Sequence, residues 1–302
     1  MTSAVNKTKG ALAPAEGNLN NPAPTFRSVV RGELFFAFQR PVTWTIASIW
    51  LLQIVLFAYV IVAILSAPSE FISTERSAAT LDKLTLENVH FYPFASIPVY
   101  GAPVFVVLGS IVGASDYTRG TVHVVLSRIM THELFALSRI VALLAWGLVL
   151  SVLTLLAGIA SSSIRAVFSE IDLDMPGVEK LGLAVLVGWL AISTYLLIGM
   201  TLGFLLRNTL ASSAVGLIIT LGLETLIVGT LSSTVSAIEG IRAFTPSGAT
   251  SSLVVSLAPE SDASTLMISA PSGVPLAFLV LLCWAIIVSA VSVISLRRRD
   301  VA

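Results

Sequence analysis

Asp116, Tyr117, Arg119, Gly120 and Thr121 crowd one short polar turn in the run GASDYTRGTVHVVLSRIMTHELFALSRI, residues 113–140, and Arg128, His132 and Arg139 follow it. An acid, a phenol and several donors interleaved with Val122, Val124, Val125, Leu126, Ile129 and Met130 suit recognition rather than bond-breaking. A short amphipathic helix of this kind can dock into a groove on a soluble partner. The plainer reading is a basic connection at a membrane face. Other chemistry has little to stand on. The chain has no G-x-x-x-x-G-K-[ST], so it does not bind ATP through that loop. It has no H-E-x-x-H and no paired-cysteine metal site. His123 and His132 share one connection at a spacing that suits neither a helical face nor a ligand pair, and His90 lies elsewhere. The single cysteine, Cys283, cannot form an internal disulfide. We expect no catalytic residue, no metal site and no cofactor in this chain.

A second set of polar residues lies inside apolar sequence. Ser212, Gly216, Thr220 and Glu224 recur every four residues and so share one helical stripe. A charge at the bilayer centre costs about 2.5–3.5 kcal/mol on insertion scales, so such a residue faces protein or water. The stripe suits a dimer seam, a translocation path or a packing hydrogen bond to a neighbouring helix. Gln53 is a similar, weaker candidate. Gly109–Gly113 and Gly199–Gly203 are GxxxG pairs, read as close packing within the chain.

The elements that position these residues are apolar spans. The chain has 302 residues, 56% hydrophobic and 11% charged, with zero formal net charge. That composition leaves more apolar surface than a soluble domain of this size can hide, and bulk charge suggests no nucleic-acid partner. Six stretches are long enough to span a bilayer: Val42–Leu65, Val99–Ala114 (starting nearer Phe94), Leu134–Ile159, Leu181–Leu206, Ala211–Leu231 and Leu276–Leu296. With the N-terminus inside, twelve of the seventeen Lys and Arg fall on the cytoplasmic side, as the positive-inside rule requires. The expected fold is therefore an all-α membrane protein with six transmembrane helices, both termini in the cytoplasm. Residues 1–25 lack an apolar h-region and read as a solvated tail. Residues 26–41, with Val30, Leu34 and Phe38 at helical spacing beside Arg27, Arg31 and Arg40, suit an amphipathic helix in the interface plane, broken at Pro41. The domain proper runs over 42–296, with a cytoplasmic connection at 115–134, an external loop at 232–275 and a basic tail at 297–302. The apolar pieces in the external loop, such as SSLVVSLA, suit short interfacial or re-entrant helices.

Three places resemble one family. The run G-x-x-D-Y-x-x-G-T, then LSR, then a basic residue opening the next helix, is similar to the permeases of type-2 ATP-binding-cassette (ABC) transporters. Asp116 stands where Glu is more usual there, Ile129 where Pro is common, His132 where Arg is common and Arg139 where Lys is common. LLRNTLASSAVGL, from Leu205 to Leu217, resembles that family's short turn between helices 4 and 5. FTPSGATSSLV, from Phe244 to Val254, resembles its outer Pro-Ser segment. The resemblance covers Phe26 to Leu296. It implies a dimer of permease chains in the cytoplasmic membrane, in contact with membrane lipid and driven by separate ATPase subunits that bind ATP and Mg. Export is the direction implied by analogy. Asp116, Tyr117, Arg119, Gly120, Thr121, Arg128, His132 and Arg139, with Arg31 and Glu33 on the preceding helix, would transmit the ATPase's motion. Gln53, Ser212, Gly216, Thr220 and Glu224 would line the path or the dimer seam. The alternatives are a secondary transporter or channel working alone and a non-transporting membrane scaffold.

Overall fold

A computed structural model describes residues 25–60, 64, 84–120, 131–169, 174–232, 236–258 and 269–298. Every regular element among them is helical. Five helices are long and apolar enough to cross a membrane, or six if the bent pair at the start counts as one span. The chain reads as a multi-pass membrane protein.

Helix α1, Phe26–Gln39, is capped by Thr25, whose hydroxyl accepts from the Ser28 N–H at 3.4 Å. It stops at Arg40, which is extended because Pro41 follows. Pro41 then opens α2, Pro41–Gln53, at a position where its missing N–H costs nothing. The two helices meet at a 60° bend. Phe35, Phe36 and Phe38 stay exposed on α1 while Glu33, Leu34 and Ala37 are half-buried. Residues 26–41, expected to form an amphipathic helix broken at Pro41, are thus helical up to Gln39 and bent at that proline. Helix α2 continues as a π-helical segment, Ile54–Val60.

The second span is assembled from pieces because Pro93, Pro98 and Pro103 interrupt it. A short helix α3, Tyr92–Ala95, leads into a π segment, Ile97–Gly101, and then into α4, Ala102–Thr118. The Ser96 carbonyl accepts from both Tyr100 and Gly101, at 2.9 and 3.1 Å, which is where the turn widens. Helix α5, His132–Ser169, runs well beyond the expected Leu134–Ile159. The extra turns tolerate their serines because Ser161 bonds back to the Ala157 carbonyl at 2.8 Å and Ser162 reaches the Tyr59 hydroxyl at 3.2 Å. Helix α6, Val178–Leu206, ends at Arg207, a left-handed residue with φ 53°. Asn208 then caps α7, Thr209–Leu217, accepting from the Leu210 and Ala211 N–H groups. Stop and start thus fit into two residues. Helix α7 widens into a third π segment, Ile218–Gly229. Helices α8, Ser236–Arg242, and α9, Pro246–Val255, follow, and α10, Val274–Arg298, completes the bundle.

The core centres on α4 against α6. A Cβ on Gly203 would lie 2.7 Å from the Ser110 carbonyl oxygen, and one on Gly109 would run into the Leu196 carbonyl. The two GxxxG pairs therefore face each other within the chain, as expected, and let the backbones touch. Trp50 packs edge-on to Phe105 at 4.9 Å and donates its indole N–H to Thr154 at 2.9 Å. Helix α9 enters the bundle against α6 and α10 with Pro246 through Val254 buried. SSLVVSLA, expected to form short interfacial or re-entrant helices, is thus helical over its first part. Its Ser252 hydroxyl accepts from the Ser272 N–H and meets the Ser272 hydroxyl at 3.1 Å, tying it to the start of α10.

One end of the bundle gathers the arginines. Arg40 faces Asp116, Arg207 lies over the Tyr117 ring at 5.2 Å, and Arg297 pairs with Glu133. We call this the basic end. Residues from the α1–α2 bend, the last turn of α4, the first turn of α5, the α6–α7 turn and the end of α10 gather there, as alternating passes place them.

Candidate functional site

At the basic end three charged side chains, Asp116, Glu33 and Arg40, gather around Arg139. It sits two turns into α5 and is 2% exposed, among the least accessible charged residues described. Its Nη2 pairs with the Asp116 carboxylate in the last turn of α4. Its Nη1 donates to the Val112 carbonyl at 2.9 Å, and its Nε faces Glu33 of α1 at 3.6 Å, an ion pair rather than a hydrogen bond. The guanidinium lies over the Phe135 ring, 4.2 Å from its centroid. Arg40, in the bend between α1 and α2, approaches Asp116 at 4.0 Å and donates to the Ser115 hydroxyl at 3.2 Å.

Local sequence explains the arrangement. A carboxylate near a helix C-terminus is disfavoured by the helix dipole, and Asp116 stands there with two guanidinium groups to offset it. Gly120 takes φ +68° just past α4, the left-handed position that closes a helix at little cost in glycine. The Gly of the Gly-Thr pair therefore stops the helix and leaves Asp116 on its last turn. Arg139 is reached from α4 across the 119–131 connection and from α1 through Glu33. One buried cation thus ties α1 to both flanks of that connection.

The other expected residues divide. Arg31 and Arg119 are exposed, and Tyr117 is half-buried beneath Arg207. Thr121, Arg128 and the side chain of His132 lie outside the described residues. Arg139, expected to offer its donors to a partner, directs them inward, because burial leaves it no other acceptors. Arg40, read from sequence only as a headgroup anchor, belongs to the network. The signal available was opposite charge on the two sides of a short connection, Asp116 before it and Arg139 after it.

The polar stripe of the fifth span is placed inward. Ser212, Gly216, Thr220 and Glu224 are all buried, while most of their neighbours on α7 and its π extension face outward. Gly216 lies against Val106 of α4. Thr220 bonds back to Gly216 at 2.9 Å, and Thr225 bonds five residues back to Thr220 at 2.8 Å, the reach of a widened turn. Glu224 reaches a cavity of about 330 Å³ at the end opposite the arginine network. Gln53 is half-buried at the end of α2 and is not part of that wall. Sequence reasoning missed Arg242, which lines the same cavity and donates to Ser232 at 3.3 Å and Ser269 at 2.7 Å. Burial lowers the Arg242 pKa, and Glu239 nearby partly restores it. At the same end burial lowers the His90 pKa, with the Glu87 carbonyl 2.9 Å from Nδ1 working against it. Among the described residues no cluster of His, Cys, Asp and Glu could hold a metal ion.

No family model matches the chain, and no curated protein matches it in sequence. Geometry and the resemblance of its motifs carry the functional reading.

Proposed function

We propose that the chain is the membrane-spanning permease subunit of a type-2 ABC transporter, with ATP and Mg bound by a separate ATPase. A second permease chain completes the membrane unit, and export is the direction of movement. The observation that supports this best is the Arg139 network. Force applied at the 119–131 connection acts on the end of α4 and the start of α5. Arg139 makes α1 and the α1–α2 bend move with them, so a push from below is shared by the interfacial helix and three spans. The exposed Arg31 and Arg119 are free to face the engine, while the buried charges hold the lever together. A partner shifts the permease only as far as it binds one arrangement better than the other. The basic end faces the cytoplasm in this reading.

The test is purification of the chain from native membranes in mild detergent, with mass spectrometry of what accompanies it. An ATPase carrying a phosphate-cradling loop should co-purify, and Arg119→Glu should weaken its retention or uncouple its ATP hydrolysis. Recovery of the chain free of any ATPase, from membranes where transport is active, overturns the reading.

A further inference from the structure

The cavity at the far end from the arginine network has a composition that points to a ligand. All three π segments reach its wall: Phe57 from the first, Tyr100 from the second, Glu224 from the third. Widened turns of this kind occur preferentially at functional sites. Phe57 and Tyr100 stand ring to ring at 5.1 Å and stay about two-fifths exposed, forming a rim. Glu224 is 7% exposed, and its Oε2 has no hydrogen-bond partner. Ser247, at the start of α9, lines the same wall. A buried carboxylate with one oxygen unengaged is costly, and in native structures such a group calls for an explanation.

Arg242 supplies the opposite charge on the same wall. It commits Nη1 to Ser232 and Ser269 and does not pair with Glu224. A guanidinium carries five donors, so among the described residues Nε and Nη2 remain for a ligand. Glu239 is the acid near Arg242 among the described residues. A simple cation would be held by Glu224 and repelled by Arg242, and a simple anion the reverse. Aromatic faces beside the carboxylate favour an ammonium over a metal ion.

We propose that this cavity binds a zwitterion, its ammonium on Glu224 among the aromatic rings and its phosphate or carboxylate on Arg242. The chemistry is shared by an aminoalkyl phosphate in solution and by the same group as a lipid head. As cargo this ligand rests on the transport reading; as a bound molecule it does not, so binding is measured on the chain alone.

The chain is held in dodecyl maltoside micelles, whose headgroup carries no charge, without any ATPase. Binding is followed by thermophoresis and by the shift in melting temperature. The probes are O-phosphoethanolamine, dihexanoyl phosphatidylethanolamine, hexylammonium (cation only) and dihexanoyl phosphatidylglycerol (anion only). One or both zwitterions should bind, at least about tenfold more tightly than either singly charged probe, the gain expected of one further charged hydrogen bond. Glu224→Gln and Arg242→Gln should each remove that preference. Binding of both zwitterions assigns the site to the shared head chemistry, and binding of the lipid form alone assigns it to a lipid. Tyr100→Leu, on the exposed rim, should also weaken binding and serves if Glu224→Gln does not fold. Failure of both zwitterions to bind, equal binding of hexylammonium, or an Arg242→Gln variant with unchanged preference overturns the proposal. Neither result bears on whether an ATPase associates at the other end.

Discussion

Removing the Arg139 side chain should expose how much the basic end depends on one buried cation. Arg139→Met keeps the length and apolar stem but strands Asp116 and Glu33 and leaves the Val112 carbonyl without its donor. Breaking a buried ion pair from one side costs about 3–5 kcal/mol. Here Asp116 retains Arg40 at 4.0 Å, and the Glu33 side chain keeps 22% of its accessible surface, so water can relieve part of the loss. The expected cost is therefore at the low end, about 3 kcal/mol. Asp116→Leu should cost less, about 2 kcal/mol, because Arg139 keeps Glu33. The double variant removes both halves of the stranded pair and should cost about 2 kcal/mol, giving a coupling energy near 3 kcal/mol, the upper part of the range for residues in contact. The assay is reversible unfolding by dodecyl sulfate in mixed bicelles, followed by emission of the buried Trp50 and Trp146. If Arg139→Met lies within about 0.5 kcal/mol of the parent, or the double variant equals the sum of the singles, the network does not hold the end together.

Three further outcomes are expected. Gly199→Ala should destabilise by about 1–3 kcal/mol in the same assay, because its Cβ meets the Val106 carbonyl; Gly182→Ala, with open space around it, should be neutral or stabilising. In a Cys283→Ser background, Arg119→Cys in sealed right-side-out vesicles should react with an impermeant maleimide only after the vesicles are opened, and labelling of sealed vesicles would reverse the assigned orientation. Stability should fall as pH drops through 6.5 toward the lowered native pKa of His90, since the unfolded chain takes up the proton first. The groups facing His90 are Glu87 and Lys180, and His90→Phe should flatten that part of the pH profile.

Much of the architecture was readable because membrane spans announce themselves. A bilayer demands long apolar runs and internally satisfied backbone, and the described parts of the six stretches fall on helices. Pro41 and the Arg207–Asn208 turn were equally plain, since proline and a capping Asn act locally. The end of α5 was not, because its serines look like a loop and remain helical only through a bond to the Ala157 carbonyl behind Ser161 and the contact of Ser162 with Tyr59. The stripe of Ser212, Gly216, Thr220 and Glu224 was visible as a period of four, whereas what it faces depends on α4. The cavity was not visible at all. It needs Phe57, Tyr100, Glu224 and Arg242 from four distant parts of the chain, and no local pattern brings them together. Likewise Arg40 and Asp116 are far apart in sequence and meet only because α1 folds back at Pro41.

The two polar regions sit at opposite ends of one continuous piece of chain. From Ile97 to Thr118 the second span carries Tyr100 at the cavity and Asp116 at the arginine network. Its α4 part is held to α6 by glycines that let backbone touch backbone, so it moves with α6 or not at all. The Arg207–Tyr117 contact fixes the same two helices at the basic end. Coupling between distant sites needs an element with two discrete arrangements, and a rigid pair of helices cannot supply one. The π segments can. Closing a widened turn to an ordinary α turn shifts the register of the residues beyond it and turns their side chains. Ile97–Gly101 joins the rigid α4 to the cavity wall, and Ile218–Gly229 carries Glu224 on the other side. Under the proposed function, a stiff lever anchored at Arg139, ending in turns that can tighten around Tyr100 and Glu224, would link a push at the basic end to the grip on the proposed ligand at the other.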